Sequence, residues 1–237
     1  MMKQMQQSVC ALAVLAATTL PAMAASTVDV RVIGTITPAA CTPTLSGGGT
    51  VDYGAINPTT LSPADYTVLP EKTLDFSVTC DAPAKIALKV INGRPGSLAG
   101  STENISGAGP APAGVQLFSV ANTAAVGLGK DGSANIGGYG LRFVPGTVQA
   151  DSVNVDPLRT SDPTLASWGA GAASGSILYN GPVLHNTWAA TGTMTPVAFE
   201  TLTAKFGVQA YLNHASELDL TKPVALDGLS TIELVYL

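Results

Sequence analysis

Apolar residues along this chain recur mainly at every second position, in short runs between turn residues, which is the pattern of half-buried β-strands. Val28, Val30 and Val32 alternate with Thr27, Asp29 and Arg31; Gly34 and Pro38 then limit the run, with Ile36 between them. After the turn Gly47-Gly48-Gly49, the stretch Val51 to Ile56 predicts a short strand. Thr73 to Cys80, Ile86 to Ile91, Val115 to Val120, Leu141 to Val144, Phe206 to Tyr211 and Thr231 to Leu237 predict further strands. Asn57 to Pro70 reads as a loop, with one helical turn at Ser62 to Asp65. Asn92 to Gly114, rich in Gly, Pro, Ser and Ala, reads as a long surface excursion. Asp151 to Ser176 is polar and small, with Trp168 as its only large anchor. Helical periodicity is nearly absent. Short strands at this spacing predict an all-β chain folded as an immunoglobulin-like, two-sheet β-sandwich with long loop insertions.

The first residues change the compartment. Lys3 is the only charge before Asp29, an apolar stretch runs from Val9 to Leu20, and Pro21 precedes Ala22-Met23-Ala24. A charged start, an apolar middle and an A-x-A site predict a signal peptide over residues 1–24, cut after Ala24. The apolar stretch is shorter than the ~20 residues of a spanning helix. The expected mature chain, 25–237, is a single domain without a membrane span, located in the periplasm, at the cell surface or in the medium. Cys10 leaves with the signal, and Cys41 and Cys80 remain. An even cysteine pair in an exported chain predicts a disulfide. It closes a 39-residue loop, worth roughly 4 kcal/mol in the chain-entropy account.

Composition narrows the partners. Charged residues are 11% of the chain, against a usual ~25%. The net charge is −5, and no basic patch is visible. Nucleic-acid binding, which depends on Lys and Arg neutralising phosphate, is disfavoured.

Candidate chemistry is sparse, and no enzyme, metal or cofactor is expected. Gly127-x-Gly129-x-x-Gly132 spells a dinucleotide fingerprint, but no helix follows to aim its N-terminus at a pyrophosphate, so it reads as a Gly-rich turn. His185 and His214, the only histidines, read as solvated loop or edge residues. There is no G-x-S-x-G elbow, S-x-x-K or H-E-x-x-H motif. Asp151, Asp156 and Asp162 share one loop, but their spacing fits no calcium loop. Trp168 and Trp188 read as core or loop anchors, with a sugar-stacking platform as the alternative.

Several motifs carry a resemblance. Gly34-x-Ile36-x-x-Ala39-Ala40-Cys41, Val51-x-Tyr53-Gly54-x-Ile56, Phe76-x-Val78-x-Cys80 and the terminal Ile232-x-Leu234-x-Tyr236-Leu237 resemble strands of chaperone–usher pilins. Thr37-Pro38-x-x-Cys41-Thr42-Pro43, Gly47-Gly48-Gly49-x-Val51-Asp52-Tyr53-Gly54, Val78-Thr79-Cys80-x-Ala82-Pro83, Leu128-Gly129 and Thr195-Pro196-Val197 are more closely similar to the GltF-like family, exported proteins of unassigned activity with fimbrial features. The resemblance implies a pilin-like sandwich that lacks one strand. A periplasmic chaperone lends a strand first, and a neighbouring fimbrial subunit replaces it after passage through an usher. Ile232, Leu234 and Tyr236 are then the expected contacts with the partner strand. A host-surface or carbohydrate ligand is the partner expected of an adhesive subunit. Two features depart from pilins. Only Ala25, Ser26 and Thr27 precede the alternating valines, so an N-terminal arm reads as short or absent. Val224 also stands where pilins tend to have a Gly. A free-standing exported sandwich that binds an unknown ligand or protein is the alternative reading.

Overall fold

A computed structural model describes residues 30–34 and 39–237; the expected signal segment lies outside the described residues. Nine strands of at least four residues follow one another: β1 (Cys41–Leu45), β2 (Lys72–Ala84), β3 (Ile86–Asn92), β4 (Ala124–Gly127), β5 (Gly137–Phe143), β6 (Val153–Thr160), β7 (His185–Ala190), β8 (Phe199–Leu212) and β9 (Ser230–Tyr236). The helical content of the described residues is limited to short 3₁₀ turns, such as Pro58–Thr60, where the Asn57 side chain accepts from the Thr59 N–H.

The strands form an antiparallel sandwich. One sheet has the order β1-β2-β8-β5-β4, the other β9-β3-β7-β6. Phe76, Val78, Phe143, Leu202 and Phe206 of the first sheet share one buried core with Ile86, Leu88 and Trp188 of the second. Trp188 sits at its centre, edge-on to Phe143 at 5.4 Å and to Phe199 at 6.3 Å. Edge-to-face contact lets the positive rim of one ring meet the negative face of the other. On one flank the pair Gln149–Ala150 bonds to both β8 and β6 and joins the sheets. On the other flank β1 and β9 are both edge strands.

Strands with one face toward the core keep the period-2 pattern of the sequence. In β2, Phe76, Val78 and Cys80 are buried while Thr79 and Asp81 are exposed. β8 alternates as far as Phe206 and then is buried on nearly every residue to Leu212. The cause lies in residues 93–135. The expected surface excursion Asn92 to Gly114 is corrected, because its Leu98, Ala99 and Ala111 form a second small core with Val115, Leu117, Phe118, Ala125 and Tyr211 of β8. The Tyr211 hydroxyl donates to the Ala99 carbonyl at 2.7 Å. Small residues make this contact possible. A Cβ on Gly138 would stand 2.7 Å from the Tyr211 ring and 2.6 Å from Leu98.

Four further expectations are corrected. Val51–Ile56 alternates but forms no strand, because no neighbouring strand lies beside it. Val115–Val120 becomes a tight hairpin of Gln116–Leu117 with Val120–Ala121 rather than a continuous strand. Ser62–Asp65 makes no helical turn; the Ser62 hydroxyl instead accepts from the Asp65 N–H. The polar stretch 151–176 contains β6, an inner strand bonded to β7 on one side and to Gly169–Ala170 on the other.

Candidate functional site: an open cleft between the first and last strands

Between β1 and β9 the sandwich is open. A cavity of about 870 Å³ lies there, lined by Leu45, Val51, Tyr53, Phe76, Val208, Leu226 and Ile232 among others. Its walls are mainly apolar. Burial pushes the Tyr53 phenol above its ordinary pKa, and its hydroxyl donates to the Val208 carbonyl at 3.2 Å. The segment before β9 forms one wall. It is held in place by the Arg94–Asp227 ion pair at 2.7 Å and the Lys222–Asp131 pair at 2.9 Å. Arg94 also holds the Asp227 carboxyl below its usual range.

Backbone parity shows what the two lips present. In an antiparallel strand, N–H and C=O groups of alternate residues point to opposite sides. Leu229 and Leu237 bond to Gly93 and Lys85, beside the two ends of β3, so the odd residues of β9 face β3. The backbone groups of Ile232, Leu234 and Tyr236 therefore face the cleft. On β1, the Ala40 carbonyl accepts from the Asp81 N–H, so the even residues face β2 and Cys41, Pro43 and Leu45 face the cleft. Two unpaired strand edges flanking an apolar trough form a template for one more strand.

Of the expected site residues Ile232 lines the cavity, and Cys41, Cys80, Leu234 and Tyr236 do not. Cys41 and Cys80 form a disulfide, S–S 2.03 Å, joining β1 to β2 where the two residues are direct cross-strand partners. Leu234 is half-buried against the core. Tyr236 is half-exposed, and its hydroxyl accepts from the Cys41 N–H at 2.8 Å. Sequence reasoning missed β1 as the opposite lip, because Thr42, Pro43 and Thr44 are exposed and leave no apolar rhythm. The expected first strand, Thr27 to Ile36, is also corrected where it is described. Val30–Gly34 lie in no strand, and Val30, Val32 and Ile33 are 86%, 91% and 80% exposed. The remainder of that run lies outside the described residues.

The other candidates separate. Gly127, Gly129 and Gly132 belong to a strand end and a hairpin turn, with Lys130–Asp131 paired to Ala134–Asn135. Asp151 accepts from the N–H groups of Glu200 and Thr201, Asp156 from Gly192, and Asp162 from Thr164, so each is engaged by a different backbone segment. Among the described residues no three His, Cys, Asp or Glu side chains gather at one point. Trp188 is a core residue and Trp168 is half-buried in a loop, so the two form no platform. His214 lies in a loop with its ring tilted 50° against Tyr66 at 4.3 Å. His185 is not at an edge: it sits in β7 between Lys89 of β3 and Thr160 of β6.

Comparison with known proteins agrees with the arrangement of motifs. Residues 30–140 match the family described as Protein of unknown function (DUF1120). The chain is 28% identical to protein GltF of Escherichia coli (strain K12) over 253 aligned positions, covering 97% of this chain and 96% of GltF. The chain is similar to GltF along nearly its whole length. It is also 28% identical to the uncharacterized protein YhcF of the same organism, over 92% of this chain and 94% of YhcF. No solved structure matches it. The family description assigns no activity.

Proposed function

We propose that this protein is a non-enzymatic, exported subunit of a surface fibre that is completed by a β-strand from a partner. The observation that carries the reading is the cleft between β1 and β9, an apolar trough with an unpaired strand edge on each side. A strand laid into it would satisfy backbone groups on both lips and cover Ile232 and Leu45 from water. Burying one such side chain is worth ~1.5–3 kcal/mol. A second feature supports the reading: Val28, Val30 and Val32 alternate in a short run, and Val30 and Val32 are exposed and outside any strand. That run has the pattern a donated strand needs. The arm that reads as short in the sequence then begins at Val28 itself. In this account a periplasmic chaperone occupies the cleft before a second subunit does, and an usher mediates the exchange. Host-surface or carbohydrate binding is a property of the finished fibre.

The test is co-purification of the intact protein from periplasmic extract. A one-to-one complex with a chaperone, lost in Ile232→Asp while the variant stays soluble, is the expected result. A stable, uncomplexed monomer in cells that express the chaperone contradicts the proposal and favours the free-standing sandwich.

A further inference from the structure

Tyr236 ties the two lips of the cleft together at one end. Its hydroxyl accepts from the Cys41 N–H at 2.8 Å, across 195 residues of chain. By parity this N–H is one that faces the cleft, so it is the donor an incoming strand's carbonyl would take. The next cleft-facing residue of β1 is Pro43, which has no N–H. Within β1, only Leu45 then offers a free donor. β9 differs, because Ile232 and Leu234 each present both an N–H and a C=O toward the cleft. The cavity follows the same asymmetry: Pro43, Leu45 and Ile232 line it, while Cys41, Leu234 and Tyr236 do not.

We infer that Tyr236 is a latch that sets how far a partner strand enters. The strand pairs along β9, starts at the wide end beside Ile232, and completes docking by displacing the Tyr236 hydroxyl from the Cys41 N–H. This rests on the strand-accepting reading and adds which lip does the pairing and which contact limits entry. The occupant is an extended segment with apolar residues at alternate positions, and residues 28–36 of a second copy of this chain supply that chemistry. The obstacle is one ordinary hydrogen bond, so removing it speeds entry by at most about tenfold.

Two readouts on the full mature chain test the latch, with Tyr236→Phe as the variant. The first is hydrogen exchange at the Cys41 amide, which needs no partner. It is protected in the wild type and exchanges faster in Tyr236→Phe; fast exchange in the wild type overturns the latch even if the variant fails to fold. The second is uptake of a dye-labelled peptide of residues 28–36, followed by anisotropy. Faster uptake by Tyr236→Phe, with an unchanged circular dichroism spectrum, is expected. Equal or slower uptake overturns the gating role while leaving strand acceptance in place. Uptake by neither protein overturns strand acceptance, and the latch with it.

Discussion

The two flanks of this sandwich solve the problem of strand edges in opposite ways. On one flank Gln149–Ala150 bonds to both sheets, and residues 93–135 cover the outer face of β5 and β8 with a second small core. There even outward-facing residues such as Tyr211 are buried. On the other flank the outer edges of β1 and β9 carry no strand among the described residues, and an apolar trough lies between them. An edge strand is a site for pairing with another chain, and proteins usually cover or blunt it. This one covers the first flank, blunts β1 with Pro43, and leaves β9 open. The difference is that some forty residues cover the outer face of β5 and β8, whereas no strand among the described residues covers the outer edge of β9.

The largest expected effect lies at the centre of the core. Trp188→Ala removes the ring that touches Phe143 and Phe199 and costs about 3–5 kcal/mol, read as a lowered denaturant midpoint. A loss below about 1 kcal/mol breaks the comparison, because the joined region then carries no more stability than the cleft. Next comes the disulfide. Replacing Cys41 and Cys80 with Ser removes the link that holds β1, most of which is exposed, against β2. The expected loss is about 2–4 kcal/mol. Thiol titration of the denatured, unreduced wild type finds no free thiol if this account holds, and two if it fails.

A smaller effect is pH-dependent. Burial, and next Lys89, lower the pKa of His185 from its ordinary 6.5, with Glu233 opposing. Its buried Nδ1 has no partner. The folded pKa is below the unfolded one, so the unfolded chain binds the extra proton first as pH falls. The contribution is present above about pH 6.5 and is lost as pH falls through the lowered folded value. Thermal midpoints measured from pH 7.5 to 5 decline modestly in the wild type, and less in His185→Asn. Identical slopes in the two proteins contradict this assignment.

How much of this was legible in the sequence depends on what alternation reports. Period-2 patterning marks one-sided burial, and it found β2, β3, β8 and β9 because each has a buried face and a bonded neighbour. The disulfide was legible from a different signal, the even cysteine pair left behind the expected signal peptide. The same pattern misled at Val51–Ile56 and, where the run is described, at Val30–Gly34, where apolar residues alternate outside any strand. Both misreadings fall on parts of the proposed strand exchange, one lining the cleft and the other the candidate donor. The lobe at 93–135 was illegible for another reason. Gly, Ala and Ser there achieve burial by close backbone approach, as at Gly109, so they leave no large-residue rhythm. Glu103 accepts from the N–H groups of Gly96, Ser97 and Leu98, and no residue spacing announces that turn.

The central claim is that the β9 edge is free in the isolated subunit and paired in the assembled one. Residue-resolved hydrogen exchange on β9 tests it most directly. The account predicts fast exchange at the Ile232 and Leu234 amides and slow exchange at Glu233 and Val235, which bond to β3. It also predicts that a strand peptide of residues 28–36 slows Ile232 and Leu234 selectively. Slow exchange at all four amides in the isolated protein would mean that the cleft is already closed, and would contradict the account.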